Sequence, residues 1–345
     1  MSARATGRPA PRAPTLEEVA ALAGVSRATA SRVLRDSANV SDQARERVHA
    51  AARRLSYAPN LAARALVTGR SDSVAFVIDE TEERTFADPF LLAVLRSAHD
   101  VLADAGLQLV VTVASRPEDR DRFVGYAAGG HVDGALIVSL HGHDDLPRRL
   151  EEAGVPVVLS GRPPGAGEGL SFVDVDNLGG ARLATAHLLG SGRRVVATIA
   201  GPQDMSVGQD RLAGYRAALA EAGVAADLDL VAEAAFTVAD GFDAMTALLA
   251  ARPDLDAVFA ASDLQAMGAL RALRSAGREV PDDVAVVGFD DVPLAAEQHP
   301  PLTTVRQPIA DLSSTMTRLL LDRIAGRQPQ PPAILPVDLV VRGSA

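Results

Sequence analysis

Residues 15–34, TLEEVAALAGVSRATASRVL, combine two short helical patterns with a glycine turn between them. Thr15 is placed to cap a helix whose first turn carries two acids, which suits the helix dipole. Its apolar side chains recur at spacings of three and four, at Leu16, Val19, Ala20 and Ala23. Gly24 can adopt the positive φ that ends a helix, and Ser26 is placed to cap a second helix over Arg27–Leu34. The pattern predicts a helix-turn-helix.

The second helix has a polar outer face, formed by Arg27, Ala28, Ser31 and Arg32. These residues point away from the inward set Val25, Ala30, Val33 and Leu34. An arginine can donate two hydrogen bonds to guanine O6 and N7 in the major groove, and Ser26, Thr29 and Ser31 can reach phosphates or bases. The alternative interpretation is a helical hairpin with solvated arginines.

The surroundings extend this motif. A flexible arm rich in arginine and proline is predicted for residues 1–13, and a third helix over Asp42–Leu55, with Ser41 as its cap. Pro59 ends that region because it disfavours helical geometry at its predecessor. Residues 60–66 can form a short helix but have no core of their own, so this segment needs a partner to fold.

Charge is distributed unevenly along the chain. The formal net charge is −10, yet residues 1–70 contain 12 Arg against 5 acids. Only this basic part suits a DNA duplex, since phosphates repel an acidic body. A solvated charged face is the alternative for the charge pattern alone.

From Ser73 onward the chain alternates apolar strands with amphipathic helices. Continuous apolar strands joined by helical crossovers are typical of a buried parallel sheet. The series begins with residues 74–78, 108–112, 134–138 and 155–159, and restarts with residues 172–173, 195–199, 257–260 and 284–287. Two doubly wound α/β halves are predicted, with a ligand cleft at the carboxyl ends of both sheets.

The N-terminal motifs together resemble the lactose-repressor (LacI) family of bacterial transcription regulators. The matching segments are TLEEVA at 15–20, AGVS at 23–26, TASRVL at 29–34, VS at 40–41, YAPN at 57–60 and ARAL at 63–66. The resemblance implies that residues 60–68 are a hinge helix and that Leu66 acts as a wedge in the minor groove. Packing onto the following strand is the alternative for Leu66. The implied DNA contacts are Thr15, Ser26, Arg27, Ala28, Thr29, Ser31, Arg32, Tyr57, Asn60, Ala63 and Leu66.

The body is similar to the type I periplasmic-binding-protein fold of these repressors. The implied domains are residues 14–59 for DNA binding, 60–72 for the hinge and linker, and 73–345 for effector binding and dimerisation. The first subdomain then covers about 73–173 and 304–332, and the second about 174–303 and 333–345.

Matched motifs imply an effector site in the cleft. Arg211 can grip a diol or carboxylate, Asp290 can accept two hydroxyl bonds beyond a strand end, and Phe236 can stack on a ligand face. The remaining candidates are Phe90, Leu91, Arg162, Ser262, Asp263 and Gln307. Arg211 as a surface residue, Asp290 as a turn cap, Phe236 as core and Asp263 as a helix cap are the structural alternatives. Asp176 and Asn177 are interpreted as a cap and a subdomain joint.

Two departures from the family pattern bear on the effector. Met205 stands where purine-responsive relatives have an arginine, which disfavours a purine. Gly161-Arg162 replaces a frequent Asp-Arg pair, so one sugar-binding carboxylate is missing and Arg162 is a substitute. A sugar or sugar derivative is expected, with a nucleoside or another polar metabolite as the alternative.

Other functions have less support. The chain has no cysteine and no lysine, which excludes disulfides, thiolate chemistry and a GxxxxGK[ST] phosphate loop. His141 and His143 could form a two-histidine metal site, but a solvated loop is the ordinary interpretation; no metal, cofactor or enzymatic activity is predicted. A stand-alone exported sugar-binding protein would have no use for residues 15–66 and would need a signal peptide, and residues 1–14 contain arginines and prolines but not the apolar run expected of one. A cytoplasmic homodimer on a pseudo-palindromic operator, located on the nucleoid when bound and without a membrane partner, is therefore expected.

Overall fold

The computed structural model describes residues 14–34, 40–57, 69–142, 145–163, 169–328 and 331–345, without the side chains of residues 82–83. The predicted arm 1–13 and hinge helix 60–68 lie outside these ranges, and so do Asn60, Ala63, Leu66 and His143. The chain divides into two compact units, residues 1–71 and 72–345.

The N-terminal unit contains three helices: α1 (Leu16–Ala23), α2 (Arg27–Val33) and α3 (Asp42–Arg54). Thr15 caps α1 reciprocally, since its amide donates to the Glu18 carboxylate at 2.7 Å and its hydroxyl accepts from the Glu18 amide at 3.3 Å. Gly24 ends the helix with a φ of 65°, a conformation that disfavours residues with a Cβ. The inward faces of all three helices form one small core around Val19, Ala30, Val33 and Val48.

The second unit contains two six-stranded sheets. The first sheet has the order β11-β5-β4-β3-β1-β2 and is parallel throughout. Its strands are β1 (Ser73–Ile78), β2 (Gln108–Val113), β3 (Gly134–Val138), β4 (Val157–Ser160), β5 (Ser171–Val175) and β11 (Ala333–Leu335). Alternate residues of β1 enter different cores, Phe76 on one face of the sheet and Val77 on the other. Burial of both faces explains why the central strands β1 and β3 are continuously apolar.

The second sheet has the order β12-β10-β9-β8-β6-β7, with β12 antiparallel to β10. Its strands are β6 (Val196–Ala200), β7 (Val231–Glu233), β8 (Ala257–Ala260), β9 (Ala285–Asp290), β10 (Thr303–Arg306) and β12 (Asp338–Val340). The two sheets with their helices are called the first lobe (residues 72–175 and 309–335) and the second lobe (residues 177–306 and 338–345).

Helices connect the strands of each lobe. The first lobe contains α4 (Glu82–Ala87), α5 (Pro89–Asp104), α6 (Pro117–Tyr126), α7 (Leu146–Glu152) and α13 (Ile309–Ile324), with a π-helical turn at Ala127–His131. The second lobe contains α8 (Asn177–Gly190), α9 (Ser206–Glu221), α10 (Val238–Ala251), α11 (Asp263–Ser275) and α12 (Pro293–Ala296), with a 3₁₀ turn at Leu228–Leu230. The predicted doubly wound α/β fold is confirmed.

The chain crosses between the lobes a few residues later than the sequence predicts. Residues 172–173, which were expected to restart the series of strands, lie in β5 and pair with β4 of the first sheet. Residues 333–335, which were expected in the second subdomain, form β11 and pair with β5. Residues 303–306 form β10 in the second sheet. The difference arises because short apolar runs show that a strand forms but not which sheet accepts it.

One close approach between helices requires glycine. A Cβ at Gly268 in α11 would lie 2.3 Å from the Val238 carbonyl oxygen at the start of α10. The two helices therefore pack backbone against backbone, and the loop that carries Phe236 leads directly into α10.

Among the helices in the described ranges, none has the length and apolarity that crossing a bilayer requires.

Candidate functional site

The outer face of α2 presents a cationic surface. Arg27, Ala28 and Arg32 are exposed, while Thr29 and Ser31 are half-buried. The Arg27 side chain is 71% exposed and its Nε lies 2.8 Å from the Glu17 carboxylate. This pair is exposed and weak, so a phosphate or a base can displace the carboxylate.

The polar residues beside Arg27 organise the start of α2. The Ser26 hydroxyl accepts from the Thr29 amide at 3.1 Å and lies 2.8 Å from the Thr29 hydroxyl. Tyr57 packs half-buried against the small core. In the described part of this unit, Thr15, Ser26 and Tyr57 thus have structural contacts of their own.

The second unit contains a cavity of about 90 Å³ at the carboxyl ends of both sheets, where α/β folds bind ligands. That volume far exceeds the ~10–15 Å³ needed by one water. Residues of both lobes line it: Arg84, Asp88, Phe90, Ser139, Leu140, Ser160, Gly161, Arg162, Asp174, Asn177, Met205, Ser206, Val207, Arg211, Phe236, Ser262, Leu264, Asp290, Gln307 and Leu312.

Arg211 is the centre of a buried polar network. Its Nε donates to the Asn177 side-chain oxygen at 2.9 Å, and its Nη1 donates to the Ala261 carbonyl oxygen and lies 3.4 Å from the Asp290 carboxylate. The side-chain amide of Gln307 donates to the same carboxylate oxygen at 2.6 Å. Burial lowers the pKa of Arg211, and Asp290 opposes this effect. The network presents fixed donors and acceptors to the cavity.

Asp290 is held in an unusual state at the end of β9. Its φ is 118°, a region that non-glycine residues rarely adopt and that recurs at functional sites. Burial raises the pKa of its carboxyl to about 6, although the Arg211 charge acts in the opposite direction. Such a carboxylate is ionised near neutral pH and can accept hydroxyl donors.

Aromatic faces complete the apolar part of the lining. The Phe236 ring centroid lies 5.9 Å from the Arg211 guanidinium carbon and 5.1 Å from that of Arg84. The ring centroid of Phe289, which is outside the lining, lies 3.7 Å from the Arg211 guanidinium carbon, so this ring stacks on the guanidinium. Flat guanidinium and ring surfaces suit a ligand with a C–H face and a hydroxyl rim.

Two ion-paired contacts bridge the lobes, the first of them through Arg162 of the cavity lining. Arg162 Nη2 of the first lobe donates to the Asp210 carboxylate of α9 at 2.8 and 2.9 Å. His141, after β3, lies 3.0 Å from Glu80 through Nε2 and 2.9 Å from Asp204 of the second lobe through Nδ1. The hydrogen bond with Glu80, followed by that with Asp204, raises the pKa of His141 to about 9. Ionic contacts therefore hold the lobes together in this state.

Comparison with known proteins places this architecture in a family. A model described as bacterial regulatory proteins, lacI family, matches residues 15–60, and a model of a periplasmic binding protein-like domain matches residues 185–345. The HTH-type transcriptional regulator CelR of Thermobifida fusca is 50% identical over 335 residues, which cover 96% of this chain and 98% of that protein. The chain belongs to the lacI family of bacterial regulatory proteins.

Solved structures agree with this assignment. A transcriptional regulator CelR–cellobiose complex matches with a TM-score of 0.78 and 48% identity, covering 96% of this chain and 100% of that one. A lac repressor dimer bound to operator and the anti-inducer ONPF matches with a TM-score of 0.85 and 28% identity, covering 96% and 99%. The lacI-family chain is thus a transcription regulator with a helix-turn-helix DNA-binding domain and a periplasmic-binding-protein-like body.

Seven of the predicted effector residues line the cavity of this lacI-family regulator: Phe90, Arg162, Arg211, Phe236, Ser262, Asp290 and Gln307. Leu91, the residue after Phe90 in α5, does not line the cavity, because its side chain is buried in the core of the first lobe. Asp263 does not either, since its carboxylate accepts from the Val292 amide and the Thr304 hydroxyl. Burial raises the pKa of Asp263 well above its ordinary value. These bonds join α11 to β10 and to the segment that follows β9.

Several lining residues were not among the predicted effector residues. Asn177 was interpreted as a joint but also binds Arg211, whereas Asp176 caps α8 through the Gly179 amide. Arg84 and Ser206 were not singled out, yet each has a buried polar atom in the cavity wall, Nε and Oγ, without a hydrogen-bond partner. The i,i+4 spacing of Glu80, Arg84 and Asp88 directly before a Pro-Phe pair was the available signal for Arg84.

Proposed function

We propose that this chain is a dimeric repressor that reads a pseudo-palindromic operator through α2 and whose operator affinity is set by a neutral sugar in the cleft. One observation carries the effector assignment: the network of Arg211, Asp290, Asn177 and Gln307 lies beside an aromatic ring in one cavity. Fixed donors and acceptors around a flat apolar face suit a pyranose.

Charge pairing favours a neutral sugar over a sugar phosphate. Three guanidinium groups line the cavity, and each is paired: Arg84 with Glu80, Arg162 with Asp210 and Arg211 with Asp290. A phosphate would have to break one of these pairs. The likeness to CelR, whose solved complex contains cellobiose, supports a glucose disaccharide such as cellobiose as the effector.

A nucleoside is the second candidate, and the lining argues against it. Met205 is buried and presents an apolar side chain where a base would need a polar partner. A buried base edge without hydrogen-bond partners loses free energy.

The proposed assembly follows from the geometry of DNA reading. One helix-turn-helix reads a half-site, so a two-fold operator takes two copies of the chain. Effector bound between the lobes favours one lobe orientation and changes operator affinity through differential binding to two states. The protein acts in the cytoplasm, on the nucleoid when bound, with no cofactor, metal or enzymatic activity.

A two-stage experiment tests this function. The full chain is first screened by thermal shift against cellobiose, glucose, glucose 6-phosphate and nucleosides. Its operator is then obtained by selecting the sequences that it binds from a library of random duplex DNA. We expect a rise in Tm with a neutral sugar only, and a change in operator Kd of about 5–150-fold at saturating sugar. An operator without two-fold symmetry, or an operator Kd unaffected by every ligand that raises Tm, would contradict the proposal.

A further inference from the structure

Asp291 follows the proposed effector contact Asp290 directly, and both residues have a positive φ. The φ of Asp290 is 118° and that of Asp291 is 58°. Residues with a Cβ seldom adopt such conformations, which cost free energy and persist only where surrounding contacts hold them. The shape of this turn after β9 therefore depends on the groups that bind it.

Two arginines bind the Asp291 carboxylate, one at each oxygen. The Nε of Arg306 donates to one oxygen at 2.6 Å, and the Nη2 of Arg342 donates to the other at 2.6 Å. Arg342 is itself held, because its Nη1 donates to the Leu302 carbonyl oxygen at 2.7 Å. The Asp291 side chain is only 8% exposed. Since hydrogen bonds between charged groups are stronger than neutral ones, the two pairs can fix the position of Asp291.

The same contacts connect Asp291 to the strands beside Asp290. Arg306 is the last residue of β10 and pairs with Asp290 in the register of the sheet, and Arg342 follows β12. The backbone amide of Gln307, the residue after Arg306, donates to the Asp290 carbonyl oxygen at 3.3 Å. Asp291 thus ties the ends of β9, β10 and β12 together at the point where Asp290 meets the cavity.

The three residues of this ion-paired group differ from Asp290 in one respect. Asp290 lines the cavity, whereas Asp291, Arg306 and Arg342 are outside the lining. They can act on a ligand in the cavity only through the residues that do line it. Asp290 is the nearest of these along the chain, and its carboxylate direction follows from the backbone of this turn.

From this arrangement we infer that Asp291 is a positioning residue for effector binding. By binding Arg306 and Arg342, it holds the turn that directs the Asp290 carboxylate into the cavity, where a sugar hydroxyl donates to that carboxylate. Asp291 does not itself touch the sugar. The inference rests on the proposed function, because it assumes that Asp290 accepts from a neutral sugar in the cleft.

The test measures cellobiose binding by isothermal titration of the full chain and its variants. Asp291→Gly adopts a positive φ without strain but has no carboxylate, so it separates the backbone conformation from the ion pairs. Arg306→Gln removes one pair at a side chain that is 55% exposed. Arg252→Gln is the matched control, because it breaks an arginine pair with Asp254 in the same lobe, outside the lining. Tm without ligand shows whether each variant is folded.

The pH profile distinguishes positioning of Asp290 from a general loss of structure. The charged groups that face Asp290 are Arg211 from α9, Asp88 at the start of α5 and Asp263 at the start of α11. Burial raises the pKa of Asp290 to about 6, so its protonation weakens sugar binding by the unmodified chain at lower pH. A variant whose Asp290 carboxylate no longer faces the sugar loses this dependence.

We expect Asp291→Gly to weaken cellobiose binding at pH 7.5 by about tenfold and Arg306→Gln by about threefold, with the control unchanged. From pH 7.5 to 5 the Kd of the unmodified chain should rise about tenfold and that of Asp291→Gly less than about threefold.

An unchanged Kd for folded Asp291→Gly, or a weaker Kd with the pH profile of the unmodified chain, would overturn the positioning role and leave the sugar cleft standing. If Asp291→Gly does not fold, an unchanged Kd for Arg306→Gln would overturn that role. Failure of the unmodified chain to bind cellobiose would overturn the proposed effector and this inference together.

Discussion

Arg32 is the residue whose predicted contact with a DNA base can be tested most directly. It is exposed in the last turn of α2, one position before the buried Val33, so its side chain is free to enter a groove. We predict that Arg32→Ala weakens operator binding by about 1–3 kcal/mol, because a bidentate contact to guanine is lost. Fluorescence anisotropy with operator and random duplexes measures this, with Arg122→Ala as the control. An equal loss on random DNA would identify Arg32 as a phosphate contact.

The proposed contact of Asp290 with the effector makes effector binding depend on pH. Burial raises the pKa of its carboxyl to about 6, and in the proposed site a sugar hydroxyl donates to the ionised form. We predict that sugar affinity is constant above pH 7 and falls as pH drops through about 6, by up to about tenfold per pH unit below it. Titration calorimetry from pH 5 to 8 measures this. Asp290→Asn should bind weakly at every pH; a variant with the same pH profile as the unmodified chain would assign the titration to another group.

At the scale of elements, His141 joins the loop after β3 to the loop after β6. The charged and titratable groups around it are Glu80, Asp204 and Asp79, whose carboxylate accepts the His141 amide at 3.3 Å. Arg84 and Arg120 pair with Glu80 and Asp79 in turn. The ring is 29% exposed, so its contacts are partly sheltered from solvent.

The contact of His141 with the two carboxylates is expected to weaken as pH rises. Because the folded pKa of His141 is raised from 6.5 to about 9, mainly by Glu80, its stabilisation is complete below pH 6.5 and is lost as pH rises through about 9. We predict that Tm falls across this window by about 1–3 °C more in the unmodified protein than in His141→Gln. His99→Gln, at an exposed position of α5, is the control. Parallel Tm curves for the His141 variant and the unmodified protein would refute the ionic bridge.

The close packing of α10 against α11 can be tested by substituting Gly268. Gly268→Ala places a methyl group 2.3 Å from the Val238 carbonyl oxygen, and we expect a loss of about 1–3 kcal/mol in the free energy of unfolding. Gly125→Ala in α6 is the matched control, since nothing lies within 4 Å of its Cβ. For Gly125→Ala we expect the free energy of unfolding to rise by about 0.5–1 kcal/mol. Denaturant unfolding measures both, and equal effects would contradict the close packing.

At the scale of the whole molecule, the two units predict separable functions. A fragment of residues 72–345 contains both sheets and the complete cavity lining. We expect it to bind sugar with the Kd of the full chain and to show no specific operator binding, because α2 is absent. Titration calorimetry and anisotropy test the two halves of this statement. Loss of sugar binding in a folded fragment would show that the N-terminal unit contributes to the effector site.

The elements that the sequence predicted well are those with local signals. Thr15, Gly24 and Ser26 mark helix ends through contacts within four residues, and the structure has α1 and α2 within one residue of the predicted bounds. The crossings were less predictable: residues 171–175 and 333–335 are short apolar runs, and their sheet depends on distant partners.

The sequence by itself determined the helix-turn-helix, the alternation of strands and helices, the family and seven of the residues that line the cavity, because capping, periodicity and motif spacing depend on neighbours along the chain. Only the tertiary structure decided that Arg84 meets Phe236 across the lobes, that Asn177 binds Arg211, and that Leu91 and Asp263 are excluded from the cavity. Those contacts join residues far apart in the chain. They depend on strand order and on the approach of two lobes, which no local pattern encodes.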